Sequence, residues 1–282
     1  MSNEAKPVLI TGCSSGIGRE TARRLAARDD MVVYATARKP ESLAELEAAG
    51  CKALALDVSD ESSMSTAVAA VEREHGYIWG LVNNAGYSQS GAVESVPLSS
   101  IREQFETNVF GLIRMCQLAL PGMREKGNGR IVNIGSMGGT LTFPGGGVYH
   151  ATKYAVEAIS DAMRWELKGF GIDLVLIQPG LITTEFGATA ADSLDAPASD
   201  GPYAEFNAGV GKMTADAYKG PMAKLGGGPE KVAAKIETAL SSSRPRARYT
   251  VTPSAKLAMT QRKLLPDRLW DKAMETQFKR PS

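Results

Sequence analysis

The sequence predicts an α/β fold: a single doubly wound parallel sheet of seven strands flanked by helices. Seven short runs are almost continuously apolar, which is typical of strands buried on both faces. Longer helical patterns separate these runs, so right-handed βα crossovers are expected. The chain has 282 residues, 43% of them hydrophobic and 22% charged, which predicts one domain over residues 1–282.

The elements alternate along the chain. The predicted strands cover 7–11, 31–36, 52–58, 78–84, 129–135, 172–178 and 247–251. The predicted helices cover 16–28, 41–49, 60–75, 98–125, 149–169 and 229–242. Pro121 lies inside the fourth helical pattern, where it is expected to kink or end the helix.

Two segments depart from this alternation. Residues 185–229 are rich in Ala, Gly, Ser and Asp and follow the sixth strand, which predicts a lid-like insertion that walls a substrate pocket. A tolerated surface insertion is the alternative. The tail, 253–282, predicts one amphipathic helix or two helices split at Pro266. It could pack on its own subunit, on a neighbour or on a membrane surface, and its mixed charges favour the first two.

Composition narrows the classes of partner. A net charge of +1 disfavours a nucleic-acid partner, and no segment is apolar for long enough to predict a membrane span. The three cysteines are scattered, which fits a reducing cytoplasm rather than a disulfide framework. Of the two histidines, His150 is interpreted as a surface or interface residue. No metal site is predicted.

A glycine-rich turn follows the first strand. In "TGCSSGIG", Gly12, Gly16 and Gly18 open a helix, which predicts a loop that binds the pyrophosphate of a dinucleotide. After the second strand stands Arg38, which can fork onto a 2′-phosphate. Together with the hydroxyls of Ser14 and Ser15, it favours NADP(H), with NAD(H) open. The alternative is that Arg38 is only a solvated loop charge.

A phenol and an ammonium are spaced for contact in "GGGVYHATKYAVEAI". Tyr149 and Lys153 stand at i and i+4, so they share one helix face. A free tyrosine titrates near pH 10, roughly 3 units too high for a good base at neutral pH, and a nearby cation lowers that pKa. Hydride transfer to a carbonyl requires such a proton donor, and the reverse reaction requires the base.

The motifs in this order resemble the short-chain dehydrogenase/reductase family, whose fold is Rossmann-type. They are "TGCSSGIG", "LDV" (56–58), "NNAG" (83–86), Asn108, Ser136, "YHATK" (149–153) and "PGLITT" (179–184), and the resemblance covers roughly residues 5–252. Within the family, the chain most resembles NADP-dependent hydroxysteroid and retinol dehydrogenases. It departs at Gly135, where many members have a second serine.

The resemblance implies roles for individual residues. The catalytic set is Asn108, Ser136, Tyr149 and Lys153, and Asn108 holds a water of a proton relay. The cofactor-binding set is Gly12, Ser14, Ser15, Gly16, Ile17, Gly18, Arg38, Asp57, Val58, Asn84, Ala85, Gly86, Tyr149, Lys153, Pro179, Gly180, Ile182 and Thr184. Asp57 and Val58 are expected at the adenine, and Asn84 beside the adenosine ribose.

The expected substrate is apolar. Met137, Leu141, Phe143 and Phe186 lie in the segments after the fifth and sixth strands, which predicts a pocket for a hydrophobic ketone, aldehyde or secondary alcohol. The predicted protein is thus an NADP(H)-dependent oxidoreductase, and a non-catalytic NADP(H)-binding or sensing protein is the alternative. The resemblance also implies a homodimer or homotetramer.

Overall fold

A computed structural model describes residues 5–184, 201–217 and 225–278. Its centre is a parallel sheet of seven strands in the order β3-β2-β1-β4-β5-β6-β7. The strands are β1 Lys6–Ile10, β2 Met31–Ala37, β3 Lys52–Ala55, β4 Gly80–Asn83, β5 Gly129–Ile134, β6 Ile172–Gln178 and β7 Arg248–Thr250. The predicted doubly wound fold is therefore confirmed.

Helices cover both faces of this sheet. They are α1 Gly16–Ala26, α2 Ala44–Ala48, α3 Glu61–His75, α4 Leu98–Phe105, α5 Gly111–Lys126, α6 Gly147–Glu166, α7 Ala204–Ala217, α8 Pro229–Ser241, α9 Pro253–Leu264 and α10 Asp267–Glu275. Short 3-10 turns occupy Pro40–Leu43, Met137–Gly139 and Lys168–Phe170. None of the described helices combines the length and the apolar character that crossing a membrane requires.

The continuously apolar strands bury alternate side chains on opposite faces. On one face Val8 and Val132 pack in the same cluster as Ile236 of α8. On the other face Leu9 and Ile131 pack in a second cluster, which includes helices α3, α5 and α6. Strands of this kind need apolar residues at every position, which explains the absence of period-two alternation.

The long helical pattern over 98–125 forms three consecutive pieces. A π-helical turn, Glu106–Phe110, separates α4 from α5. The helix does not end at Pro121, because α5 continues to Lys126. Pro121 is exposed, while Met115 and Met123 on the opposite face are fully buried. Packing of that buried face offsets the one missing backbone hydrogen bond.

The tail folds back onto its own chain. Thr252 caps α9 by accepting a hydrogen bond from the backbone N–H of Ala255, at 3.2 Å, and Pro266 separates α9 from α10, as one of the predicted alternatives required. Trp270 and Met274 of α10 pack against Leu141 in a small hydrophobic cluster. The tail therefore covers the loop that follows β5.

Candidate active site

A cleft of about 920 Å³ opens at the carboxyl ends of the strands, where parallel α/β sheets bind ligands. The predicted site residues that line it are Gly12, Ser14, Ser15, Gly16, Ile17, Arg38, Asp57, Val58, Asn84, Ala85, Gly86, Ser136, Met137, Phe143, Tyr149, Lys153, Pro179, Gly180, Ile182 and Thr184. Gly18, Asn108 and Leu141 lie behind its walls. Phe186 lies outside the described residues.

The glycine loop approaches its neighbours too closely for side chains. Gly12 has a φ of 72°, and a Cβ on it would lie 2.9 Å from the Cα of Ala85. A Cβ on Gly18 would overlap the carbonyl oxygen of Gly12. Glycine is required at both positions, and the loop presents bare backbone to the cleft.

Helix α1 begins at this loop without a side-chain cap. The side chain of Ser15, the N-cap, makes no capping hydrogen bond, and the first turn contains no acidic residue. Its first backbone N–H groups and the positive end of its dipole are therefore available to an anion. This arrangement suits the phosphates of a nucleotide.

Hydrogen bonds join the glycine loop to the residues that follow β4. The hydroxyl of Thr11 accepts hydrogen bonds from the backbone N–H groups of Asn84, at 3.0 Å, and Ala85, at 2.9 Å. The Asn84 amide donates to the carbonyl oxygens of Thr11 and Gly12, both at 2.9 Å. Asn84, expected beside a ribose, thus uses its amide nitrogen to hold the loop while it lines the cleft.

Opposite charges stand at the far end of the cleft. Arg38 is exposed at the end of β2, and Glu103 of α4 lines the same cleft. Tyr87 lines the same cleft, and its pKa is raised by burial and by Glu103, with Arg38 acting in the opposite direction. Asp57 is held in a turn, where its Oδ1 accepts from the backbone N–H of Ser59 at 2.9 Å.

The π-helical turn aims Asn108 at the back of the cleft. Such a wide turn is common at functional sites because it displaces one side chain from the helical register. Asn108 is buried, and its Oδ1 accepts from the backbone N–H of Tyr87 at 3.1 Å. Its Nδ2 donates to the carbonyl of Tyr87, at 2.9 Å, and to the hydroxyl of Thr152, at 3.1 Å. These bonds fix the amide in one orientation.

Lys153 is a buried ammonium at the centre of the site. Its side chain donates to the carbonyl of Ile134 at 2.9 Å, and its Nζ lies 5.9 Å from the ring centroid of Tyr149. Burial lowers the pKa of Lys153 to about 8. A Cβ on Gly86 would lie 3.9 Å from Lys153 Nζ and 2.9 Å from the Oδ1 of Asn108, so both groups face one small space.

His150 organises the loop that carries Ser136. Its Nε2 accepts from the backbone N–H of Phe143 at 3.2 Å, so its Nδ1 carries the hydrogen donated to the carbonyl of Gly138 at 3.0 Å. The backbone N–H of Gly138 in turn donates to the hydroxyl of Ser136 at 3.0 Å. His150 is only 7% exposed, and burial lowers its pKa, so its interpretation as a surface or interface residue is wrong.

The segment after β6 closes the cleft above the glycine loop. The backbone N–H of Met137 donates to the carbonyl of Pro179 at 2.8 Å. A Cβ on Gly180 would lie 2.8 Å from the hydroxyl oxygen of Ser254. Further along, a Cβ on Gly16 would lie 3.4 Å from the Cβ of Thr184. The cleft is therefore bounded by segments that are distant in sequence.

The expected apolar wall is divided. Met137 and Phe143 line the cleft, beside Tyr149 and His150. Leu141 does not: it is completely buried against Trp270 and Met274, because the tail covers this part of the loop.

The comparisons with known proteins agree with this geometry. The family model for short chain dehydrogenase matches residues 6–195, which is more than half of the chain. The chain belongs to the short-chain dehydrogenase family.

Members of this family resemble the chain over most of its length. The oxidoreductase YbbO of Escherichia coli strain K12, described as uncharacterized, is 36% identical over 96% of this chain and 94% of its own. The NADPH-dependent 3-dehydrocapnine reductase of Ornithobacterium rhinotracheale is 33% identical over 96% and 97%. The closed form of a serine dehydrogenase complexed with NADP+ superposes with a TM-score of 0.75 at 28% identity, covering 88% and 94%.

As a short-chain dehydrogenase, the chain is a hydride-transferring oxidoreductase that binds a nicotinamide dinucleotide. Several residues of its cleft were not singled out from the sequence. Tyr87 and Gln89 stand within three residues after "NNAG", so adjacency to a motif was the available signal. Glu103 carried no such signal, because only the folded α4 brings it to the cleft.

Proposed function

We propose that the protein is an NADP(H)-dependent reductase or dehydrogenase that interconverts an apolar carbonyl compound and its alcohol. The observation that carries the proposal is the buried ammonium of Lys153, 5.9 Å from the ring centroid of Tyr149, at the wall of a cleft that Ser136 also lines. A phenol beside a cation is a tunable acid and base. The predicted catalytic set supports this chemistry.

The residues of the cleft fit the cofactor. The bare loop at Gly12 and the uncapped start of α1 suit the pyrophosphate, and the ammonium of Lys153 suits the hydroxyls of the nicotinamide ribose. Asp57 and Val58 would bound the adenine. When bound, the cofactor supplies or accepts the hydride. All other steps fall to side chains of the chain.

In the direction of reduction, Tyr149 donates its phenolic proton to the substrate oxygen as negative charge develops there. Ser136 donates a hydrogen bond to the same oxygen, because its hydroxyl hydrogen has no acceptor among the described residues. Lys153 stabilises the resulting phenolate.

A relay would return a proton to the site. Asn108 and Lys153 face the space beside Gly86 from two sides, and both are polar groups held in fixed positions. A water there would have hydrogen-bond partners on each side. We assign Asn108 to holding that water, so that Lys153 can exchange protons with solvent.

The decisive measurement is NADPH consumption at 340 nm with medium-chain ketones. Tyr149→Phe should lower the rate by roughly 10²–10⁴-fold, the usual contribution of a general acid, without weakening NADPH binding by more than about threefold. Tyr249→Phe, on β7 and outside the lining of the cleft, is the control and should keep its rate. An active Tyr149→Phe variant would remove the basis of the proposed mechanism. NADPH binding with no turnover of any carbonyl would instead favour a non-catalytic sensor.

The preference for NADP(H) rests on Arg38. Its guanidinium stands at the end of β2 and lines the cleft, and a relative is named as NADPH-dependent. Arg38→Ala should weaken NADPH binding about tenfold, as for an exposed charged hydrogen bond, and leave NADH binding nearly unchanged. Lys39→Ala is the control, and equal losses for both nucleotides would show that Arg38 does not read the 2′-phosphate.

Three expectations from the sequence stay proposals. Likeness to hydroxysteroid and retinol dehydrogenases is one of them. Assembly into a homodimer or homotetramer is another, supported by Phe110 and Trp165, which are 53% and 68% exposed. Sedimentation of Trp165→Arg tests it. A cytoplasmic location is the third, and the free cysteines of the described chain fit it.

A further inference from the structure

A second cavity of about 720 Å³ lies on the outer side of the loop 142–147. We call it the outer cavity. Its apolar walls come from the loop after β4, the loop 142–147, α7 and the tail, and include Val93, Phe143, Phe206, Trp270, Met274 and Phe278. Its size falls within the range of pockets that bind small molecules, roughly 300–1,000 Å³.

The outer cavity adjoins the active-site cleft, and the two share a wall residue. Phe143 lines both. A row of aromatic rings joins them: Tyr149 to His150 at 5.7 Å between centroids, His150 to Phe143 at 5.9 Å, and Phe143 to Trp270 at 6.2 Å. A molecule whose carbonyl lies at Tyr149 would reach the outer cavity by passing along Phe143, the wall that the two cavities share.

The apolar surface at this cavity calls for an apolar occupant. Val93 is 63% exposed there, although it adjoins other apolar side chains. Exposed apolar patches next to a binding site indicate a surface that a ligand covers. An extended ligand is chosen because the apolar residues lead outward from Tyr149, where the carbonyl would react.

Charged side chains limit what the far end can be. Arg262 is paired with Asp267 at 2.7 Å, and Asp271 stands on the same wall. Among the described residues of this wall, Arg262 is the one cation and Asp267 already neutralises it, so a terminal carboxylate is disfavoured there. The tail that fits is an uncharged alkyl chain.

We infer that the substrate is a single-chain alkyl ketone or secondary alcohol, with its oxygen at Tyr149 and its hydrocarbon tail in the outer cavity. This inference rests on the proposed carbonyl chemistry and specifies its substrate class. Each buried methylene contributes up to about threefold to fourfold in binding. Catalytic efficiency should therefore rise with chain length until the tail fills the cavity.

The first test is a series of methyl ketones with NADPH. kcat/KM should rise at least tenfold from 2-octanone to 2-dodecanone. Met274→Trp, which adds volume at the wall of the cavity, should abolish that rise. Leu269→Trp, at a half-exposed position of the same helix that does not line the cavity, is the control. Equal efficiencies for 2-octanone and 2-dodecanone would overturn the tail site and leave the reductase intact.

A second test reads binding without turnover. The chain has three tryptophans, and of these only Trp270 is described as lining the outer cavity. The probe 12-bromo-2-dodecanone should quench tryptophan fluorescence, and Trp270→Phe should remove most of that quenching. The shorter 5-bromo-2-pentanone should quench little in either protein. Equal quenching in wild type and Trp270→Phe would show that the alkyl tail binds outside the outer cavity, whether or not any ketone is reduced.

Discussion

Lys153 and Glu157 stand one turn apart on the buried face of α6, and their surroundings differ. They are 7% and 8% exposed, and burial moves the pKa of each toward its neutral form, downward for Lys153 and upward for Glu157. Glu157 accepts from Gln178 of β6 at 2.7 Å and from Arg248 of β7 at 3.2 Å. Among the described residues, the ammonium of Lys153 donates a hydrogen bond to one acceptor, the carbonyl of Ile134.

The difference separates a structural group from a functional one. The partners of Glu157 join α6 to β6 and β7, and both of its oxygens are used. An ammonium has three hydrogens to donate, so two of those on Lys153 lack acceptors among the described residues. A buried charge left incompletely paired costs stability, which indicates that its partners arrive with ligands.

The largest difference between variants of Lys153 and Glu157 is expected in the rate of turnover. Lys153→Met keeps the length of the side chain and removes the cation, so the phenol of Tyr149 loses its stabilising charge. Turnover with NADPH and 2-dodecanone should fall roughly 10²–10⁴-fold. Glu157→Gln, which keeps the shape of its side chain, should stay within about threefold. Comparable losses in the two variants would mean that Lys153 has no special part in the reaction.

Stability should respond with the opposite sign. Without ligands, Lys153→Met should raise the free energy of unfolding by about 1–3 kcal/mol, because an incompletely paired buried charge is removed. Glu157→Ala should lower it by about 1–3 kcal/mol, since Gln178 and the partly exposed Arg248 lose their acceptor. Urea unfolding measures both, with Glu157→Gln as the control that restores most of the loss. If Lys153→Met and Glu157→Ala both lowered the free energy of unfolding, Lys153 would be a structural group like Glu157.

The sequence predicted the sheet and the cleft better than it predicted the different surroundings of Lys153 and Glu157. Apolar strands and a glycine loop are local patterns, and each specifies its own backbone geometry. The surroundings of Glu157, by contrast, come from Gln178 and Arg248, which are distant in sequence. The burial of His150 and of Leu141 likewise depends on which segments cover the loop after β5, and no local pattern encodes that cover.

The pH dependence of stability sharpens the same comparison. The pKa of Lys153 is about 8 in the folded chain, against 10.5 as its ordinary value, so the unfolded chain binds more protons between these two pH values. Wild type should therefore gain stability relative to Lys153→Met as pH rises from 8 toward 10.5, by at most about 1.4 kcal/mol per pH unit. The Tm difference between the two proteins, recorded over this window, should shrink. A constant difference would mean that Lys153 does not titrate there.

The smallest effect is expected at His150, near the start of α6. Burial lowers its pKa below the usual 6.5, so its contribution to stability is complete above that value and is lost as pH falls below it. Protonation also places a hydrogen on Nε2, which then cannot accept from the backbone N–H of Phe143. His150→Gln removes this titration, so below pH 6.5 wild type should lose Tm faster than the variant. Because Phe143 lines both cavities, acidification should also raise KM for 2-dodecanone more than it lowers kcat, and a pH-independent KM would show that this bond does not position the substrate wall.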